Sequence, residues 1–273
     1  MSNKPPMIDI LFEAVSQSSK LVKDFFEERL EPQFKTSSQD LVTKADIISQ
    51  QCIQEVILNR MVKSGIADTE IGFIGEESGL DKKGKYLFAI DPIDGTTNFA
   101  SGIEYFVISV GCFVNGELTY GILYEPLTDT MYWAEKGKGA QKQRNNQKVS
   151  LHLEAKTLRD SMVATYVHSN EELREKELLF MKNIFASVRG VRIMGAGALD
   201  LVKVADNVFQ ICMFAKSNIW DIAAATLIIR EAGGEIVSLN GEQILFDLND
   251  SGKIYPVLAC HPSNLQDILT FLK

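Results

Sequence analysis

The chain has 273 residues, 45% of them hydrophobic and 23% charged, the composition of an ordinary globular protein with a sizeable core. Its net charge of −8, from 28 basic and 36 acidic side chains, argues against nucleic acid as a main partner, because contacts to phosphate backbones are made by Lys and Arg. Cys52, Cys112, Cys212 and Cys260 are widely spaced with no CxxC pair, which speaks against zinc or a disulfide framework and for a reducing, cytoplasmic setting. The first residues lack the apolar stretch of a signal peptide, and the apolar run Ile222–Ile229 is too short to span a membrane.

Residues 7–30 place Leu11, Ala14, Val15, Ser18, Leu21, Val22, Phe25 and Phe26 on one helical face, which predicts an amphipathic helix. Thr43 and Asp46 resemble a capping box, with Asp in place of Glu, for a helix running to about Val62. On this reading alone Asp46 is a cap. Ile71-Gly72-Phe73-Ile74 has strand character and leads into Gly75-Glu76-Glu77-Ser78. Tyr86-Leu87-Phe88-Ala89-Ile90 is a second buried-strand pattern, broken by Asp91-Pro92-Ile93-Asp94-Gly95-Thr96-Thr97-Asn98-Phe99.

That break is the most informative segment. Pro lacks an N–H and fixes φ, and Gly lets the backbone approach a ligand. The strand therefore ends in two carboxylates, the Ile93 carbonyl and several free N–H groups. Oxygens of this kind suit a metal, and consecutive N–H groups suit a phosphate. A helix starting near Gly95-Thr96-Thr97 adds a favourable dipole. Asp-Pro and Asp-Gly are also ordinary turn punctuation, and Glu76-Glu77 alone reads as a solvated turn. Two adjacent strands both ending in carboxylates would repel unless a cation stood between them. Mg²⁺ shared between carboxylates and a substrate phosphate fits, and two such ions ~4 Å apart can clamp both oxygens of a phosphoryl displacement. The chemistry indicated is metal-assisted phosphate ester hydrolysis.

Phe106–Val114 and Glu117–Tyr124 flank Asn115-Gly116, a strong hairpin signal, and Met131–Ala134 adds a further antiparallel strand. The polar stretch Gln141–Asn146 reads as the transition between an N-terminal α+β half, residues 1–150, and a C-terminal α/β half, residues 151–273. In the second half strand-like runs (Ser161–Thr165, Val191–Met194, Val208–Met213, Glu235–Leu239, Pro256–Ala259) alternate with helical ones (Glu171–Ala186, Ala198–Val204, Asp221–Ala232, Ser263–Phe271). Trp220-Asp221 opens an apolar helix stopped by Gly233-Gly234, and by itself Asp221 is a favourable acid at a helix start. His152, His168 and His261 match no triad spacing and read as surface or structural, and Lys35 as a solvated loop lysine.

The motifs GEES, DPIDGTTNF and WDIAAATLIIREAGG resemble those of the inositol monophosphatase family. Supporting stretches run from Lys35–Asp46 through Gly121–Pro126 and Lys136–Ala140 to Glu231–Gly234, so the likeness covers nearly the whole chain. The resemblance implies a layered αβαβα sandwich of the fructose-1,6-bisphosphatase-like type, Mg²⁺ as cofactor with Mn²⁺ as substitute, Li⁺ sensitivity and a homodimer. It implies two Mg²⁺ ions held by Glu76, Asp91, the Ile93 carbonyl, Asp94 and Asp221, and a third nearer Glu77 or Asp46. Glu76, Thr96 and Asp94 would be catalytic, the Thr96 hydroxyl and Glu76 orienting the attacking water. Gly95, Thr96, Gly197, Phe214 and Asp221 would meet the substrate, expected to be inositol 1-phosphate. Alternatives are histidinol phosphate, fructose 1,6-bisphosphate and 3′-phosphoadenosine 5′-phosphate; from another class, some bacterial relatives bind the transcription machinery, so RNA polymerase association is carried as well. One departure stands out. Counting back from Trp220, the glutamate that touches the substrate ring in animal members falls at Phe214, which cannot accept a hydroxyl hydrogen bond.

Overall fold

The computed structural model describes residues 6–28, 33–34, 41–42, 44–81 and 84–273. Lys35 and Thr43, and with Thr43 the expected capping box, lie outside the described residues. Helices α1 (Met7–Glu28) and α2 (Lys44–Lys63) flank a short antiparallel pair, β1 (Gln33–Phe34) and β2 (Leu41–Val42). Eight strands then build one sheet: β3 (Ile71–Gly75), β4 (Gly79–Leu80), β5 (Tyr86–Asp94), β6 (Val107–Val114), β7 (Glu117–Glu125), β8 (Thr130–Glu135), β9 (Ala140–Arg144) and β10 (Gln147–Leu151). Their spatial order is β10-β9-β8-β7-β6-β5-β3-β4, with the short helix α3 (Thr96–Ser101) leaving the end of β5.

A second, mixed sheet has the order β12-β11-β13-β15-β14. It consists of β11 (Met162–Thr165), β12 (Gly190–Arg192), β13 (Ile211–Phe214), β14 (Glu235–Val237) and β15 (Val257–Cys260). Around it run α4 (Glu171–Ile184), α5 (Gly197–Ala205), α6 (Ile219–Glu231) and α7 (Leu265–Thr270).

Side-chain alternation along β5 sets the layers. Phe88 and Ile90 join the apolar cluster shared with α1 and α2, while Leu87 and Ala89 join the one shared with α5 and α6. Beyond α5 and α6 lies the second sheet, whose outer face packs Val163, Ile211 and Met213 against Phe180 and Ile184 of α4 and Ile268 of α7. The succession is helices, sheet, helices, sheet, helices, the expected αβαβα sandwich. A helix between two sheets must be apolar all round, and Ile222 to Ile229 of α6 are buried without interruption. Among the described residues no helix is long and apolar enough to cross a membrane.

Two turns show how local chemistry fixes register. Asn115 and Gly116 both have positive φ, 51° and 84°, the type I′ geometry that closes a two-residue hairpin. Asn145 and Asn146, at 49° and 61°, do the same between β9 and β10. The stretch Gln141–Asn146 lies in a hairpin at the sheet edge. Its strands carry polar side chains because β10 is the outermost strand and exposed over most of its length.

α6 reaches the first sheet through a notch. Gly111 of β6 and Gly121 of β7 are cross-strand partners, and a Cβ on either would meet α6 at 2.7 Å, at the Ala223 Cβ and the Ala224 carbonyl oxygen respectively. At the far end of the helix Glu231 accepts from the Gly137 and Gly139 amides, each at 2.8 Å, which ties down the Lys/Gly turn after β8. Gly121→Val should overpack this contact and cost about 1–3 kcal/mol, of which each kcal/mol is ~2–4 °C of melting temperature. Calorimetry of the variant checks this; a midpoint equal to wild type would mean the notch is dispensable.

Candidate active site

β5 continues past Ile90 to Asp94, further than its apolar run predicts. Asp91 pairs with Ser109 and Asp94 with Val107, so three steps along β5 match two along β6 and the strand carries a bulge at Pro92-Ile93. Pro is tolerated there because a bulged residue owes the ladder no N–H. The bulge changes which way Asp94 faces: three residues apart in a regular strand, Asp91 and Asp94 would point to opposite sides, yet both line one cleft.

The cleft has a volume of about 570 Å³ and gathers Glu76, Asp91, Ile93, Asp94, Gly95, Thr96, Gly197, Phe214 and Asp221. These come from the loop after β3, the end of β5, the start of α3, the start of α5, the end of β13 and the first turn of α6. Glu77 and Asp46 are not part of this lining. The Glu77 amide donates to Gln50 Oε1 at 3.3 Å and Gln50 Nε2 donates to Ser78 Oγ at 3.0 Å, so α2 holds the loop that carries Glu76. Asp46 is buried in the first turn of α2, on the side of Asp91.

Asp91, Asp94 and Asp221 are each held by backbone amides. Asp91 Oδ1 accepts from the Ile93 amide at 3.0 Å. Asp94 accepts from the Gly197 and Leu199 amides at 2.9 and 3.2 Å, capping α5, whose own N-cap, Ala196, has no side-chain acceptor. Asp221 accepts from the Asn218 amide at 2.6 Å within a capping box. A cap and a cleft-facing carboxylate are thus one residue here, not alternatives. The Thr96 hydroxyl donates to the Ile93 carbonyl at 3.0 Å, which leaves its oxygen lone pairs facing outward. Gly95 has φ 94° and a Cβ there would stand 2.9 Å from the Ala196 Cβ, so both its conformation and its space exclude a side chain.

The electrostatics are those of unneutralised acids out of water. Burial, and then the charges of Glu76, Asp94, Asp221 and Asp46, push the Asp91 carboxyl well above the usual range. Burial lifts Asp94 to about 7 against the lowering effect of the α5 amides. Burial, then Glu76 and Asp94, raise Asp221 against its Asn218 hydrogen bonds. No Lys or Arg among the described residues forms a salt bridge with Asp91, Asp94 or Asp221. An all-oxygen, net-negative donor set, three of whose carboxylates have no basic partner among the described residues, fits a hard divalent cation such as Mg²⁺. The convergence is not a closed cage: among the described residues no three His, Cys, Asp or Glu side chains surround one point. The amide hydrogen bonds explain this, since they turn Asp91 and Asp221 onto their own segments and Asp94 onto the start of α5.

Some of the lining escaped the sequence reading. Tyr166, His168, Ser169, Lys216, Ser217 and Asn218 also face the cleft. His168, read from sequence as surface or structural, lines the cavity and its Nδ1 stands 2.5 Å from the buried Glu177. No spacing could have found it, because β11 and the segment after it reach the cleft only through the packing of the second sheet. Phe214 is both a cleft wall and a core residue, 4% exposed, and a Cβ on Gly197 would lie 3.7 Å from its ring.

The family model for the inositol monophosphatase family matches residues 3–270. An inositol-1-monophosphatase of Rhizobium meliloti is 34% identical over 235 residues, 84% of each chain. The Nus factor SuhB of Pasteurella multocida is 30% identical over 243 residues, 86% of each. Among solved structures, the extragenic suppressor protein suhB from Bartonella henselae superposes with a TM-score of 0.85 at 26% identity, covering 98% of both chains. With the order of its motifs, its sandwich and its carboxylate-lined cleft all in agreement, the chain belongs to the inositol monophosphatase family and is a phosphoric monoester hydrolase.

Proposed function

We propose that this phosphatase hydrolyses inositol 1-phosphate in the cytoplasm with Mg²⁺ held among Glu76, Asp91, the Ile93 carbonyl, Asp94 and Asp221. The observation that carries the reading is the bulge in β5, which turns Asp91 and Asp94 into the same cleft as Glu76 and Asp221. Bound there, Mg²⁺ supplies the positive charge that acidifies water and neutralises the leaving oxygen. A further ion nearer Glu77 or Asp46 belongs to the same reading.

The chain's own groups do the positioning. The Gly95 and Thr96 amides, at the start of α3, grip the phosphate oxygens, and the absence of a Gly95 side chain lets the ester approach. The Thr96 hydroxyl, its proton engaged by the Ile93 carbonyl, accepts a hydrogen bond from the attacking water. Glu76 takes up the proton that this water releases. Asp94 orients α5, so that Gly197 leaves room for the alcohol portion of the substrate. No covalent phosphoenzyme is required. The halves 1–150 and 151–273 and a homodimer are carried in the same proposal; light scattering checks the dimer. The Nus factor relative brings a second reading, association with RNA polymerase, which co-purification with the tagged chain checks.

Phosphate release from inositol 1-phosphate should require Mg²⁺ or Mn²⁺ and be inhibited by Li⁺ and by excess Ca²⁺, whose looser and longer coordination misplaces the water. Full activity after EDTA treatment would refute the proposal. Asp91→Asn and Asp221→Asn should each lower kcat/KM at least a hundredfold, about 2.7 kcal/mol. Relief of carboxylate repulsion in Asp91→Asn should raise the metal-free melting temperature by ~2–4 °C, on the order of 1 kcal/mol, while Mg²⁺ stabilises the variant less than wild type. Phe214→Glu should sharpen selectivity for inositol 1-phosphate over glycerol 2-phosphate, because a carboxylate there could accept ring hydroxyls. Comparison of kcat/KM for the two esters in both forms checks it; an unchanged ratio would mean the ring does not reach position 214.

A further inference from the structure

The cleft is acidic along its floor but not on every wall. His168 and Lys216 are the basic side chains that line it, the first from the segment after β11, the second from the turn between β13 and α6. Neither has a part in the chemistry derived above.

His168 is fixed in place. Glu177 of α4 has no exposed side-chain surface, accepts from the His168 amide at 2.8 Å, and stands 2.5 Å from His168 Nδ1. The Tyr166 ring meets the imidazole edge-on with centroids 4.7 Å apart. A buried carboxylate needs compensating donors, and both oxygens of this one are committed to a single residue at the edge of the cleft. With Nδ1–H donated to Glu177, the atom left over is Nε2, on the opposite side of the ring. An anion within reach of Nε2 would complete a row of carboxylate, imidazole ring and anion. Lys216 is exposed, makes no ion pair among the described residues, and adds a positive charge to the lining of the same cleft. Phe214, in the same lining and next to Gly197, offers the alcohol no acceptor.

We propose that Lys216 and His168 form a second anion subsite, so that the preferred substrates are esters whose alcohol portion carries a further phosphate or carboxylate. The proposal rests on the phosphatase reading but shifts the preferred ester away from inositol 1-phosphate: the Gly95 and Thr96 amides and the cation held by the floor would take the phosphate that is cleaved, and the basic wall the group that stays.

The test compares fructose 1,6-bisphosphate and 2-phosphoglycerate, which carry a second anion, with inositol 1-phosphate and glycerol 2-phosphate, which do not. Wild-type kcat/KM should be at least tenfold higher for one or both two-anion esters than for glycerol 2-phosphate. The ester that gains identifies the second group as phosphate or carboxylate. Lys216→Met and His168→Gln should each reduce that ratio at least fivefold, through KM rather than kcat. A wild-type preference for the single-anion esters, or a ratio within twofold of wild type in both variants, overturns the subsite. If no ester is turned over, the phosphatase reading fails instead. Calorimetric titration of fructose 1,6-bisphosphate, with and without Ca²⁺, then decides the subsite by itself: weaker binding to Lys216→Met supports it, and equal affinity removes it.

Discussion

Side chains alternate between the two faces of a strand, so a pair of aspartates three residues apart cannot serve one site unless the strand absorbs an extra residue. β5 does this at Pro92-Ile93, and the placement of Asp91 and Asp94 follows from it. The same bulge sends Ile93 into the apolar layer under α1 and α2, and lets its carbonyl accept the Thr96 hydroxyl. The start of α3, the cap of α5 and the floor of the cleft are therefore consequences of one irregularity in one strand.

Gathering acids in this way is unfavourable in itself, and the apolar architecture supplies the compensation. Asp221 is delivered by α6, which is seated in the Gly111 and Gly121 notch and buried along its length. α5 is anchored at its other end by Lys203, which donates to Glu125 at 2.5 Å and to the Tyr132 hydroxyl at 2.8 Å. Local amides then stabilise each carboxylate individually, at Ile93, at Gly197 and Leu199, and at Asn218. The repulsion that remains is what a cation held there, as proposed, would relieve.

The floor of this site was legible because it is built from contiguous motifs. Asp91 to Thr96 and Trp220-Asp221 carry their own local signals, a broken strand and a helix start, and the resemblance joins them. The basic wall was not legible. His168 and Lys216 acquire meaning only when β11 and β13 lie side by side in the second sheet, a parallel pairing set by tertiary packing. In the fold, period-two and helical patterns located most elements, and Asn115-Gly116 fixed its hairpin. The β9–β10 hairpin escaped because an edge strand needs no apolar face, and Asn-Asn is a quieter turn signal than Asn-Gly. The glycine notch escaped because a missing Cβ leaves no periodicity to read.

The position of α6 bears on the order in which the molecule comes apart. A helix with a sheet on each side cannot fray into solvent until one of those sheets separates, so its amides should exchange with solvent only through the largest openings of the structure. Asp221 rides on that helix, whereas Glu76 rides on a loop. Thermal fluctuations of the cleft should thus be asymmetric, with one side breathing locally and the other moving only when the sandwich itself opens.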